Sequence, residues 1–246
     1  MWVRVVQVWR LTTPSEDRLF QLTNPEDYSL TYNGLVIAAE RRRSHGWQAF
    51  GSYTLSRAYG LQPSSGTTAA GTQVATVGSP PAAFAPGITF GQDPNDLTNA
   101  RGRLPNDRPH VFRAMGSGDL AKTGFMLSAN LQYFTGKPWA ATAQVPVPQS
   151  PQAGQRIMIE PRGSRRLSSQ SLLDLRVSKM LRLGSVGTMD LRFDVLNLLN
   201  DAAEEALRTD VLFPTSGLPN TTTFGQPNVF MDPRRAMVSV RLNLGK

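Results

Sequence analysis

Strict alternation of apolar and polar residues runs through the C-terminal third of this chain, and it restricts the fold more than any other feature. In Leu173–Ser178, residues Leu173, Leu175 and Val177 share one face of an extended chain, and Asp174, Arg176 and Ser178 share the other. In Met189–Val195 the faces are Met189, Leu191, Phe193 and Val195 against Asp190, Arg192 and Asp194. In Ala236–Leu244 they are Ala236, Val238, Val240, Leu242 and Leu244 against Met237, Ser239, Arg241 and Asn243. Phe125–Tyr133 follows the same rule. Side chains of a strand point alternately to opposite faces, so a period of two predicts strands with one apolar face. Less regular candidates are Val3–Leu11, Leu30–Arg42, Trp47–Tyr59 and Pro109–Gly118.

The connections between these segments alternate in length. Ser44–Gly46, Asp119–Thr123 and Gly184–Gly187 are short, whereas Gln62–Asn106, Ala141–Ser169 and Asp201–Asp232 are long and rich in turn residues. Short turns at one end and long loops at the other are the mark of a transmembrane β-barrel. A compact soluble domain rarely carries an unstructured loop as long as Gln62–Asn106. The predicted fold class is therefore all-β: an antiparallel meander of about seven or eight strands, part of an outer-membrane barrel. Leu30–Arg42, Pro109–Gly118, Leu172–Leu183 and Ala236–Leu244 run towards the short-turn end. Trp47–Tyr59, Phe125–Ala140 and Met189–Asn200 return from it.

Composition agrees. Charged residues are 18% of the chain, against about 25% in ordinary soluble domains. Yet no run approaches the roughly 20 apolar residues of a spanning helix. Cysteine is absent, which excludes disulfides and thiolate metal sites. The net charge is +8, but the basic residues are scattered, with short clusters at Arg41–Arg43, Arg165–Arg166 and Arg234–Arg235. Nucleic acid is not an expected partner, because no basic helix or aromatic RNA-binding motif accompanies them. Met1–Leu11 alternates apolar and polar residues and has no continuous apolar core of a secretory leader. Together with the barrel pattern, this leads to the expectation that Met1 is an internal start within a longer exported protein.

Within a barrel the alternation decides which face meets lipid. An Arg or Lys facing lipid at the bilayer midplane costs about 2–4 kcal/mol. Asp174, Arg176, Arg182, Asp190, Arg192, Asp194 and Arg241 are therefore expected to face the lumen. Leu191, Phe193, Val238, Val240 and Leu242 are expected to face outer-membrane lipid. Trp47, Tyr59, Tyr133 and Trp139 lie near strand ends, as interfacial aromatics do.

Several segments resemble a known family. Tyr32–Leu35 (YNGL), Glu40–Arg43 (ERRR), Gly51–Arg57 (GSYTLSR), Asn106–His110 (NDRPH), Tyr133–Trp139 (YFTGKPW) and Phe193–Asn200 (FDVLNLLN) resemble, in order and spacing, TonB-dependent receptors. The nearest subgroup is the Oar-like one, which carries a carboxypeptidase-regulatory-like domain ahead of plug and barrel. The resemblance runs from about Leu30 to the end. It implies the C-terminal part of a barrel of about 22 strands. It also implies uptake of a bulky substrate, powered through the TonB complex by plug displacement, without covalent chemistry and without a cofactor. The implied partners are outer-membrane lipid, the remainder of the same barrel and its plug, and the TonB complex. The final strand ends Leu242–Lys246 (LNLGK), without the terminal aromatic common in this class. A surface adhesion or secretion barrel without TonB coupling, and a soluble β-sandwich binding module, remain as alternatives.

Other chemistry finds little footing. His45 and His110 are the only histidines and lack partners at ligand spacing. No Gly-x-Ser-x-Gly elbow, Gly-x-Gly-x-x-Gly or phosphate loop occurs. Asp93–Asp96 (DPND) resembles a piece of a calcium loop but reads better as a turn. Asp201–Arg208 (DAAEEALR) reads as a short loop helix with Asp201 as its N-cap, rather than as a paired-carboxylate site at Glu204 and Glu205.

Overall fold

The computed structural model describes residues 6–9, 29–61, 94–120, 123–145, 155–212 and 218–244. Seven long or medium strands form one antiparallel meander. In chain order they are β1 (Leu30–Ser44), β2 (Trp47–Leu61), β4 (His110–Leu120), β5 (Phe125–Phe134), β10 (Gln170–Arg182), β11 (Gly187–Leu196) and β14 (Arg235–Leu244). Each pairs with the next in that order, and the short β3 (Arg101–Arg103) adds to β2. Three two-stranded ribbons decorate the long connections. β6 (Pro138–Trp139) pairs with β9 (Arg165–Arg166), β7 (Thr142–Val145) with β8 (Gln155–Met158), and β12 (Glu204–Leu207) with β13 (Pro227–Phe230). Because every neighbour in the meander is antiparallel, the three short turns lie at one end of the sheet and the three long connections at the other.

The turns form where the backbone can reverse. His45 and Gly46 both adopt left-handed φ angles, 52° and 83°, between β1 and β2. His45 is thus a turn residue, and Ser44 Oγ lies 2.8 Å from its Nδ1. β11 ends at Leu196, short of the expected Asn200, because Asn197 and Asn200 take left-handed φ angles of 50° and 54°. Asn197 fastens that reversal. Its amide donates to Asp174 Oδ1 at 2.9 Å, and its side-chain Nδ2 donates to the carbonyls of Asp201 and Asp232. β5 likewise stops at Phe134 instead of continuing to Ala140.

Two expectations need correction. The described part of Val3–Leu11, residues 6–9, is not a strand. Trp9 instead exchanges two hydrogen bonds with the Asn95 side chain, at 2.7 and 2.8 Å. The expected helix at Asp201–Arg208 is strand β12. Pairing with β13 overrides the helix-favouring Ala, Glu, Leu and Arg. Asp201 still caps: its two carboxylate oxygens accept from the Ala203 and Ser171 amides at 3.0 and 2.6 Å. Pro94–Leu97 forms a short 3-10 turn, and Asp93 lies outside the described residues.

Apart from Ala58 of β2, the buried apolar residues are not in the large sheet. The core sits among the long connections, built from Ala100, Ala140, Ala141, Ala143, Ile157 and Met158. Small residues let chain segments approach closely there, and Gly136 is the tightest case. A Cβ at Gly136 would overlap the Leu167 carbonyl oxygen, whereas a Cβ at Gly51 would meet nothing nearer than Arg113 O at 4.0 Å. Gly136→Ala is expected to destabilise the chain by about 1–3 kcal/mol through overpacking, and Gly51→Ala to be tolerated. Thermal unfolding of the two variants in detergent, followed by circular dichroism, checks this; equal melting temperatures would refute the close approach.

Candidate membrane-facing surface

Cross-strand partners in a sheet share a face, so the register sorts every side chain. Leu175 stands beside Val195, Val177 beside Phe193, Phe193 beside Val238, and Leu191 beside Val240. On the other face Arg176 stands beside Asp194, Asp190 beside Arg241, and Asp174 beside Asn130. All seven residues singled out by the alternation, Asp174, Arg176, Arg182, Asp190, Arg192, Asp194 and Arg241, therefore share one face. The expected apolar set, Leu191, Phe193, Val238, Val240 and Leu242, shares the opposite one.

The polar face is cross-linked. Arg176 donates through Nε to Asp194 Oδ1 at 2.5 Å and through Nη2 to Oδ2 at 3.3 Å. Arg192 Nε donates to Asp190 Oδ2 at 2.6 Å, and Asn130 Nδ2 to Asp174 Oδ2 at 3.4 Å. Arg241 stands beside Asp190 in the register without an ion pair to it. Burial is uneven on the polar face, where Met180 and Met237 are 66% and 51% exposed. Asp194 and Ser178 are only 5% and 7% exposed, whereas Ile37 and Val238 are 59% and 77% exposed. Leu35, Leu55, Phe112, Leu127, Phe193, Val240 and Leu242 extend this exposed apolar surface over six of the seven strands. Contiguous apolar patches beyond a few hundred Å² are rare on soluble monomers and mark protein–protein or membrane contact sites, ligand grooves or aggregation-prone surface.

Two bands bound the apolar surface. Towards the short turns, Arg41 lies over the Trp47 ring at 3.9 Å and Lys179 over Phe125 at 4.4 Å. Towards the long connections, Arg57 lies over Tyr59 at 5.2 Å, the Tyr53 and His110 rings stack, and Tyr133 donates to Ser169 Oγ. His110 is held by that stack and by a 2.7 Å hydrogen bond between Tyr53 OH and its Nδ1. Three apolar side chains separate the bands on β1 (Leu35, Ile37, Ala39, between Asn33 and Arg41). Three also separate them on β10 (Leu173, Leu175, Val177, between Ser171 and Lys179). Eight residues at a rise of ~3.3 Å span about 26 Å along the strand.

The lower band does not run perpendicular to the strands. Straight across the ladder, Arg41 leads through Ala49, Gly116 and Ala129 to Leu175. The band on β10 is at Lys179, four residues further on. A line from Trp47 drifts by two residues before reaching Phe125 or Lys179. This drift, with ~3.3 Å per residue and ~4.8 Å between strands, inclines the strands by about 25–35° to the normal of the band. The apolar height is then about 22–24 Å, against an apolar belt of about 25 Å and tilts of ~35–45° in transmembrane barrels.

At the long-connection end, polar hubs hold the chain together, and alternation could not reveal them. Asp107, fully buried, accepts from the Ala58 amide at 2.7 Å and pairs with Arg103 at 3.2 Å and with Arg166. Its place in the sequence Asn106–His110, between a turn and a strand, was the available hint. Glu160 accepts from the Ala141 amide and from Arg165 Nε, both at 2.8 Å. Burial opposes its ionisation, but hydrogen bonds from Arg165, the Ala141 amide and Ser164 outweigh burial and hold its carboxyl below the ordinary value. Arg162 donates to the Ala100 carbonyl, and burial pushes its guanidinium down to about 10. Glu204 accepts from the Ser168 amide at 2.7 Å, a cap rather than half of a carboxylate pair. Among the described residues no group of His, Cys, Asp and Glu is placed to hold a metal ion, and no helix is long and apolar enough to cross a membrane.

No protein-family model, curated protein or solved structure matched the chain.

Two outcomes are expected from the hubs. Asp107→Ala removes the carboxylate partner of Arg166, which keeps its bonds to the Asp107 and Gly136 carbonyls, and strands the Ala58 amide; breaking such a pair costs about 3–5 kcal/mol at most. Hydrogen exchange at the Ala58 amide should accelerate sharply, and an unchanged rate would remove Asp107 from its role. Glu160 has a depressed folded pKa, so its stabilisation is complete above its unfolded pKa of about 4.3. That stabilisation is lost as pH falls through the folded value. Glu160→Gln should therefore be less stable than wild type at neutral pH, and the difference should shrink in acid. Melting temperatures across that range decide the point.

Proposed function

We propose that this chain is the C-terminal wall of an outer-membrane β-barrel of the TonB-dependent transporter type, which takes up a bulky substrate and performs no covalent chemistry. The observation that carries the reading is the exposed apolar face, bounded by two aromatic and cationic bands about 22–24 Å apart and backed by an ion-paired polar face. Water would penalise that surface at roughly 25 cal/mol per Å² of apolar area; a bilayer would not. On this reading Asp174, Arg176, Asp190, Arg192, Asp194 and Arg241 line the lumen. The long connections lie on the outer side, and the short turns face the periplasm. The order and spacing of the NDRPH, YFTGKPW and FDVLNLLN segments support the transporter family over other barrels. The partners are outer-membrane lipid, the rest of the same barrel with its plug, and the TonB complex.

Neighbouring substitutions on β14 test the orientation. Val240→Arg puts a charge on the lipid-facing side at a cost of about 2–4 kcal/mol, and Arg241→Ala alters only the lumen side. In cells exporting the protein, Val240→Arg should lower the heat-modifiable, folded material in the outer-membrane fraction, while Arg241→Ala leaves it nearly unchanged. Equal losses would reverse the assignment of faces. A monodisperse, folded chain in buffer without detergent would sink the membrane reading altogether.

A further inference from the structure

The long connections, with Val6 and Val8, line an open cleft of about 800 Å³, within the ~300–1,000 Å³ typical of small-molecule sites. Its walls come from separate stretches of chain: Ala143 and Val145 of β7, Ile157 of β8, Ile159, Val211 and Phe224. Backbone bonds make this frame rigid. The Thr142 amide donates to Thr209 O and the Val211 amide to Thr142 O, both at 2.8 Å, and the Asn220 amide donates to Val211 O at 2.7 Å. Thr142 Oγ1 adds a 2.8 Å bond to Asp210.

Two charged side chains reach the cleft, and they neutralise each other. Glu160 receives Arg165 Nε and Nη2 at 2.8 and 3.2 Å as well as the Ala141 amide. The Arg165 guanidinium is further committed to the faces of Trp139 and Phe224, at 5.1 and 5.5 Å. An anionic ligand would have to displace Glu160 from Arg165, and a cationic one would have to displace Arg165 from Glu160. Either exchange would break a doubly hydrogen-bonded pair whose carboxylate is buried, although the Arg165 side chain is itself 45% exposed. The walls reward apolar area, and the Phe224 ring offers a flat contact.

We propose that this cleft binds an uncharged, mainly apolar small molecule. The site lies outside the sheet and does not rest on the membrane reading. The test uses the purified full chain with a neutral decyl diazirine as photoaffinity probe, and mass spectrometry to locate the label. Expected is labelling of peptides containing Ala143–Val145 and Ile157–Ile159. Ala143→Trp, which fills the cleft, should reduce that label about tenfold, with labelling of β14 as an internal reference. Phe224→Ala provides a second variant should Ala143→Trp fail to fold, and it should weaken labelling severalfold. A decyl diazirine carrying a carboxylate should label the cleft peptides far less than the neutral probe. The proposal is overturned if those peptides are labelled no more than exposed loop peptides in the wild type, if folded variants keep the full signal, or if the charged probe labels equally. Labelling of β14 reports separately on the apolar face of the sheet, so failure at one surface is distinguishable from failure at the other.

Discussion

Everything in this structure depends on the antiparallel backbone ladder. Each inner strand of the meander satisfies its amides and carbonyls with two neighbours, so its side chains are free of any duty to shield polar backbone. That freedom allows one face to be apolar and uncovered. A helix–sheet sandwich would need a second layer over such a face, and this chain builds none among its described residues. The register does the rest. A slip by one residue would carry Asp190, Arg192 and Asp194 to the apolar side and Leu191 and Phe193 to the ion-paired side. The Arg176–Asp194 fork and the Asp174 bond to the Asn197 amide oppose that slip at two heights of the same strand.

The long-connection end solves a different problem. Irregular chain has no ladder, and its backbone groups need partners from side chains. Asp107, Glu160, Asn197, Asp201 and Glu204 each accept from or donate to backbone groups across long sequence separations. Their arginine partners, Arg166 and Arg165, bring further donors. Arg166 also donates to the carbonyls of Asp107 and Gly136, tying the turn before β4 to the end of β5. A core of alanine with few large side chains is stable here because these polar hubs, rather than apolar area alone, fix the approach of one segment to another.

This division explains what the sequence allowed to be read. The four strongly patterned strand segments needed only local information: a period of two and a turn residue such as Gly46 or Gly184. Their ends were misjudged where a single residue broke the pattern for a reason outside it, as Asn197 does by binding carbonyls from Asp201 and Asp232. The stretch Asp201–Arg208 failed for the same cause. Its local preference is helical, and a partner strand more than twenty residues away, Pro227–Phe230, decides against it. Glu160 was invisible as a hub, and Asp107 was hinted at only by its place in Asn106–His110, because a lone acid in a loop carries no period and its partners are scattered along the chain. The shared face of Asp174, Arg176, Asp190, Arg192, Asp194 and Arg241 was legible; their pairing into Arg176–Asp194 and Arg192–Asp190 required the register.

Strand direction constrains how such a sheet closes. The meander has seven members, all antiparallel to their neighbours, so β1 and β14 run the same way. Placed edge to edge they would pair parallel, and a fully antiparallel closure needs an odd number of additional strands between them. A second copy cannot supply it. Two copies related by a rotation about the barrel axis bring β14 of one against β1 of the other, again parallel. A rotation perpendicular to that axis restores antiparallel edges but puts the long connections of the two copies at opposite ends. One set would then lie on the wrong side of any membrane the sheet spans. Among closed, fully antiparallel arrangements with one loop side, the unlike strands of a different segment are the partners that fit both edges. The direction of seven strands thus means that any fully antiparallel closure with all long connections on one side requires an odd number of further strands.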